Sequence, residues 1–506
     1  MSALLGIDIG TQGTKAALYA LNGECLAEAF KHSILHRPAP GVVEEDPEEQ
    51  VESVLDTIRA CIEKSAVEPA EIAGVAIAGQ MAGIIGIDAR GRAVTPYDSW
   101  LDTRCGAYIE KMQRVAGDEI TEKTGNPPSF NHGPKKLWWK HERSEDYGRI
   151  RAFVQPGGYA AMRLCGLDRS QAFIDNTYLH FSGFADTRGA SWDEELCRKF
   201  EMDLAKLPRI IEPQELVGEV TASMAKKCGL KAGTPVVAGC GDTVASFLSC
   251  GATSEGICVD VAGTASVFAA TTRSFVADTK HHILGCSHSA VAGLWHPYAY
   301  INGGGQNLEW FRRELRDNRF TFEELNILAS GVADEAGLPY FVPHFGGCVS
   351  PPLPSIRGAW LGLTWETTPG HLFRAMLDGV ALEYSLYKGA LLDLLPKFAI
   401  QEIRVTGGGE KSSIWNQIKA DRLQIPVVSV ARTGGTPMGS ALIAGFGVGL
   451  FRNLPAAARD WVHLGETYEP DRSKSELASE RIQKYAHLLQ MIDTWSRKDS
   501  TTTCPL

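Results

Sequence analysis

The feature that most constrains this chain is a short pattern that occurs twice. Leu4–Gly23 reads LLGIDIGTQGTKAALYALNG: an apolar run carrying Asp8, a turn with Gly10, Thr11, Gln12, Gly13 and Thr14, then a second apolar run. Gly256–Ala270 reads GICVDVAGTASVFAA and repeats the arrangement, with Asp260 in the run, then Gly263-Thr264, Ser266 and more apolar residues. The two Gly-Thr pairs lie about half the chain apart, which points to two similar halves with a ligand between them.

Neither copy is a Walker P-loop, which needs GxxxxGK[ST] followed by a helix. Lys15–Leu21 is short and mostly apolar, and it stops at Asn22-Gly23, a pair suited to a type I′ turn. The reading is strand, Gly/Thr turn, strand, Asn-Gly turn, strand: an antiparallel meander. Small residues at the Gly10–Thr14 turn let a backbone approach a phosphate, and Thr11 and Thr14 add hydroxyl donors. Asp8 sits at the strand end, where a carboxylate can hold a magnesium ion. Taken alone, this stretch fits a plain hairpin equally well. A third glycine cluster, Gly407-Gly408-Gly409, ends a strand and opens a helix with Ile414 and Ile418 on one face, which suits a nucleotide's sugar or phosphate.

At 506 residues the chain is too long for one core, so two or three domains are expected. A net charge of −10 argues against a general nucleic-acid or anionic-membrane binder, which needs basic surface. No basic leader precedes the first apolar stretch, and no charge-free stretch reads as a membrane span. The 12 cysteines are scattered without a CxxC pair. Together these point to a cytoplasmic chain with reduced thiols and not to a disulfide framework.

Periodicity predicts a helix over Val43–Lys64, strands around a Gly79-Gln80-Met81 turn within Ile72–Gly86, and a helix from Pro134 to Glu142. It also predicts a buried strand at Thr234–Ala238 leading to Asp242, a long buried helix over Leu372–Leu395, and a closing helix over Glu476–Lys498. That last helix carries Ala478, Ile482, Tyr485, Leu489 and Ile492 on one face; Asp499–Leu506 is expected to fray. The first half is expected to close near residue 250.

Several segments together resemble the FGGY family of carbohydrate kinases, with the xylulokinases (pentulose kinases) the nearest in look. GIDIGTQGTKAAL is similar to the family's first phosphate motif, AGQMAGIIGID to its sugar loop, and SWLDTRC to its W-x-D-x-R segment. KKLWWKHE resembles its first signature, although Asn131 and Gly133 depart from it, and Gly358–Gly379 matches the second. GGGEKSSIWNQIKAD is similar to the adenosine motif, and GTPMGSALIAGFGVG to the closing glycine segment.

The resemblance implies an α/β fold of two ribonuclease H-like (actin/hexokinase/Hsp70-type) domains, residues 1–250 and 251–506, around an interdomain cleft. It implies ATP-dependent phosphorylation of a small-molecule sugar, with Mg2+, and leaves a homodimer open. Asp242 would be the general base and Asp8 would act through magnesium. Gly10, Thr11, Gln12, Gly13, Thr14, Gly263 and Thr264 would hold phosphate. Gly305, Gly408, Gly409 and Ser412 would border the adenosine. Gln80, Met81, Ala82, Asp102, Arg104, Asp242 and Thr243 would line the sugar site.

That placement suits phosphoryl transfer, which asks the protein for positioning, charge stabilisation and one proton acceptor. Read without the resemblance, Asp242 fits a helix N-cap equally well. Three positions depart from xylulokinases: Ala82 stands where histidine is usual, Thr243 where asparagine is usual, and Leu101 where asparagine is common. These changes to polar contacts bear on the substrate. The acceptor is expected to be a ketopentose such as xylulose. The alternatives are ribulose, erythritol, glycerol or gluconate.

Two other functional classes fit less well. A non-kinase ATP-driven switch on the same superfold would lack the sugar loop and end in a peptide-binding domain. A sugar-binding relative without activity would not be expected to keep Asp242 and both Gly-Thr turns. His281, His282, Cys286, His288 and His296 offer zinc ligands, but their spacing fits no standard motif, so a hairpin with surface histidines is expected. Of Trp138 and Trp139, at least one should be core, because neighbours on a helix point in different directions.

Overall fold

The computed structural model describes residues 2–499 except 316, 334, 336 and 433; the tail expected to fray lies outside them beyond residue 499. The repeated pattern opens each of two sheets. In the first, β1 (Ala3–Ile9), β2 (Gly13–Ala20) and β3 (Cys25–His32) form the expected antiparallel meander. The helix α1 (Pro47–Lys64) then crosses over to β4 (Ile72–Gly79), which pairs parallel to β1. Two further strands, β5 (Leu216–Glu219) and β6 (Pro235–Val237), give the order β5-β6-β4-β1-β2-β3.

The second sheet is built from β7 (Ile257–Ala262), β8 (Ser266–Ala270), β9 (Gly285–His288), β10 (Trp295–Ile301), β11 (Glu402–Thr406), β12 (Val427–Arg432) and β13 (His463–Tyr468). Its order is β9-β10-β8-β7-β11-β12-β13. β7 pairs antiparallel with β8 and parallel with β11, as β1 does with β2 and β4. Each domain is thus a meander followed by parallel crossovers. Crossovers require helices on the sheet faces, which explains why β1 and β7 are nearly continuous apolar runs and not alternating ones.

Local chemistry sets the helix boundaries. Asp46 caps α1 by accepting from the Glu48 amide at 2.8 Å, with Pro47 at the first helical position. The helix therefore starts four residues later than the periodicity suggested, and Glu44–Glu45 is a short strand. The strands of Ile72–Gly86 are present but do not pair with each other: Ile85–Ile87 pairs with Ala152–Val154. The expected long helix runs over Pro369–Leu394 and is anchored by buried charge. Its Asp378 bonds Arg422 at 2.6 Å and Arg481 of the C-terminal helix (Ser475–Asp499) at 2.8 Å. No helix among the described residues is long and apolar enough to cross a membrane.

The cleft is positioned by a core shared between the domains. The helices α2 (Asp242–Ser249) and α3 (Thr436–Gly447) pack together, α3 against β1 and β4 and α2 against β4. α3 belongs to the second half in sequence but lies on the first sheet. Gly6 makes this approach possible, since a Cβ there would meet the Pro437 carbonyl oxygen at 1.8 Å. Gly439 does the same against Ala245, at 2.0 Å from its carbonyl oxygen.

Candidate active site

The Gly10–Thr14 turn is a tight hairpin: Gly10 and Gly13 exchange backbone hydrogen bonds of 3.1 and 3.2 Å, leaving Thr11-Gln12 at the tip. Thr11 is held by a relay. The Trp100 indole donates to the Thr11 hydroxyl at 2.8 Å, Thr11 donates to Gln80 Oε1 at 3.3 Å, and Gln80 Nε2 donates to buried Glu45 at 2.8 Å. Thr11, Gln80, Met81, Ala82, Asp242 and Thr243 line one cavity of about 250 Å³ in the cleft. The second domain closes it with Val267, Ser287, Tyr298 and Tyr300.

Asp242 is the first residue of α2, and Gly241 occupies the N-cap. The carboxylate accepts from its neighbour Thr243 through Oδ1, 2.5 Å from the amide and 3.0 Å from the hydroxyl. This is not the usual capping bond to the second or third amide. No protein donor among the described residues reaches Oδ2. Burial raises the Asp242 pKa to about 6, against the lowering effect of the Thr243 bonds.

Asp8 stands beside Asp242 at the end of β1. Burial, reinforced by the charge of Asp242, raises its pKa well above the usual carboxylate range, while Lys15 and a hydrogen bond from Thr436 pull it down. Its Oδ1 is buried without a hydrogen-bond partner among the described residues. An unpartnered hard oxygen beside a second carboxylate fits a magnesium ion.

The second group of expected residues meets around Ala262. Gly305 lies in the first turn of a helix (Gly304–Trp310) and donates to the Gly263 carbonyl at 2.9 Å, while Gln306 donates to that of Thr264 at 3.1 Å. A Cβ on Gly305 would meet the Gly263 oxygen at 2.4 Å. A Cβ on Gly409 would sit 2.5 Å from that of Ala262, and Gly408 is open to solvent. Ser412 caps the helix Ser413–Leu423 and donates to Asn326 at 3.1 Å. The β7–β8 hairpin links both groups: its turn carries Gly263-Thr264, and Val267 just beyond reaches the cavity.

Three expected residues are placed elsewhere. Thr14 is buried and lines a separate cavity with Lys31, Ser33, Gln50 and Ser53, on the α1 side of the sheet. Asp102 and Arg104 are absent from the cavity lining. Arg104 bonds Asp102 at 2.8 Å and Glu44 at 2.6 Å and lies over Trp138, so the pair braces the loop that carries Trp100. Asp260, the repeat's counterpart of Asp8, is buried in the second core and paired with Lys419. The histidines do not converge: His281 meets Asp393, His288 the Thr187 carbonyl, and His296 that of Ala270. His296 is buried, not on the surface. Trp139 is core and Trp138 half-buried.

Sequence reasoning missed Phe181, Ser287, Tyr298 and Tyr300. The only local signal was the spacing of Tyr298 and Tyr300, which puts both on one face of β10. Trp100 lay inside a recognised segment without being assigned a role.

Two ribonuclease H-like domains with glycine turns beside a carboxylate-bearing cleft are the architecture of the actin/hexokinase-like fold, which includes nucleotide-dependent phosphotransferases. Residues 3–249 match the N-terminal domain of the FGGY family of carbohydrate kinases, and residues 258–448 match its C-terminal domain. The chain therefore belongs to the FGGY family and is an ATP-dependent sugar kinase. It is 25% identical to the xylulose kinase of Bacillus subtilis (strain 168) over 97% of this chain and 96% of that protein. It is 26% identical to the gluconokinase of the same strain over 92% and 91%. The crystal structure of xylulose kinase from Rhodospirillum rubrum aligns with a TM-score of 0.90 at 26% identity, covering 98% of this chain and all of that one (100%).

Proposed function

We propose that the protein transfers the γ-phosphoryl group of ATP to a hydroxyl of a short ketose, a ketopentose such as xylulose, with Asp242 as general base. The observation that carries this reading is Asp242 Oδ2, free of protein donors on the wall of a small interdomain cavity. As the hydroxyl oxygen bonds to phosphorus and the bond to ADP breaks, its proton passes to this oxygen. The backbone of Gly10–Gly13 with Thr11, and Gly263-Thr264, would take the phosphates, and Gly305, Gly408, Gly409 and Ser412 the adenosine. Asp8 would hold Mg2+, which when bound neutralises charge on the phosphates.

A coupled ADP-release assay with Mg-ATP tests this across D- and L-xylulose, D- and L-ribulose, erythritol, glycerol, gluconate and L-fuculose. One ketose far above the rate with ATP alone is expected. Gluconate or glycerol as the sole good acceptor would overturn the ketose assignment.

The base must be ionised. kcat/KM is therefore expected to rise about tenfold per pH unit up to about 6 and to level off above. A profile flat from pH 5 to 8 would remove Asp242 from the rate-limiting chemistry. Trp100→Phe removes one donor from the Thr11 relay. It is expected to lower kcat/KM roughly fivefold, equivalent to the ~1 kcal/mol of a net hydrogen bond, with a fall in stability no larger than that, read from the urea midpoint.

A further inference from the structure

Resting on that reading, we infer that Thr177 is a positioning residue for the general base: its hydroxyl, on the buried turn Asn176–Phe181, holds the backbone amide that immediately precedes Asp242. The turn starts where the short strand Phe173–Asp175 ends. Asp175 caps it, accepting from the Thr177 amide at 3.1 Å. The same carboxylate oxygen accepts from the Thr177 hydroxyl. That hydroxyl accepts in turn from the Gly241 N–H at 3.0 Å. Asp175 and Thr177 are both buried, so a donor or acceptor left without its partner here is costly.

The direction of this relay is fixed by its members. A backbone N–H only donates, so the Thr177 oxygen accepts from Gly241 and its own proton goes to Asp175. Burial pushes the Asp175 carboxyl up to about 7, and the bonds from Thr177 oppose that by favouring the ionised, accepting form. Serine in place of Thr177 keeps both hydroxyl bonds. Valine keeps the shape and loses both.

The relay matters because the base has little else to aim it. Among the described residues, the Asp242 carboxylate bonds only to Thr243, the next residue along. Its direction therefore follows the backbone of the loop Gly239–Asp242, and Gly241 is the N-cap on which α2 starts. The adjacent Tyr178 braces the same loop from its other side. Its hydroxyl lies 2.8 Å from the Gly79 carbonyl oxygen and 3.4 Å from that of Cys240. Gly79 donates to the Cys240 carbonyl at 3.3 Å, and Gln80 to that of Ile9 at 3.0 Å. The base loop, the Gln80 loop and the end of β1 thus form one hydrogen-bonded unit, which Thr177 and Tyr178 enter from below. Displacing a reacting group by about 1 Å can cost on the order of 10²-fold in rate.

The test is a double-mutant cycle in the ADP-release assay: the parent, Thr177→Val, Asp242→Asn and the two combined. Thr177→Val is expected to lower kcat about tenfold or more, with KM for ATP within about twofold of the parent. In the Asp242→Asn background there is no base left to place, so the same substitution is expected to change kcat by less than about twofold. Thr177→Ser is expected to stay within about threefold of the parent, because both hydroxyl bonds survive. No loss in the parent background, or an equal loss in both, would overturn the inference and leave the kinase reading intact. Parental turnover by Asp242→Asn would overturn both. If Thr177→Val does not fold, Thr177→Cys goes through the same cycle; its thiol is a weaker partner, so a smaller loss confined to the parent background is expected, and equal losses again overturn the inference.

Discussion

Asp242→Asn is expected to bind ATP with the affinity of the parent and to transfer phosphate about 10²–10⁴-fold more slowly, the usual range for a lost general base. Asparagine keeps the shape of the side chain. Its Oδ1 can still accept from the Thr243 amide and hydroxyl, so the start of α2 stays in place. What disappears is the proton affinity of Oδ2, the oxygen without a protein donor. The structural cost is small because Gly241, not Asp242, is the N-cap. What remains is the charge of an acidic residue in a helix's first turn, worth about 0.3–1 kcal/mol. Calorimetric titration with ATP, the ADP-release rate and the urea midpoint separate these effects. Turnover near that of the parent would end the assignment of Asp242 as base. A collapsed urea midpoint would mean that the residue serves the fold.

Much of the architecture was legible because its signals are local. The Gly-Thr turns, the Asn-Gly pair and the apolar runs each act within a few residues, so the meander could be read directly and its repeat suggested two domains. The cavity was less legible because its wall comes from separate segments, including Phe181, Ser287, Tyr298 and Tyr300. No local pattern reports which strand face will meet another domain. The position of α3 on the first sheet was hidden for the same reason.

The placement of Thr14 was within reach of simple strand geometry. In an antiparallel pair, directly opposed residues share a face and adjacent ones alternate. Asp8 opposes Lys15 and Ile9 opposes Thr14, so Thr14 lies on the opposite face from Asp8. Asp102 and Arg104 show a different limit. Two opposite charges two residues apart can bond each other as readily as a sugar, and here Glu44 joins them.

The repeat places one aspartate in each domain, and the two stand in different surroundings. Asp8 lies beside Asp242, with one carboxylate oxygen buried and without a hydrogen-bond partner among the described residues. Asp260 has a fully buried side chain, bonded to Lys419 and to the Tyr384 hydroxyl at 2.6 Å. The Lys419 ammonium also lies 4.0 Å from the centre of the Trp415 ring, and burial lowers its pKa even with Asp260 beside it. Removing one member of such a pair strands the other charge, so Lys419→Met is expected to lower stability by about 3–5 kcal/mol. That is a large part of the stability of most domains, and a marked fall in the urea midpoint would report it. Combining it with Asp260→Asn removes the stranded charge and keeps an acceptor for Tyr384. The double variant is expected to recover most of the loss, with kcat close to that of the parent, because neither residue touches the cleft. A single variant within 1 kcal/mol of the parent, or a double variant less stable than either single one, would show that the pair does not act as a unit.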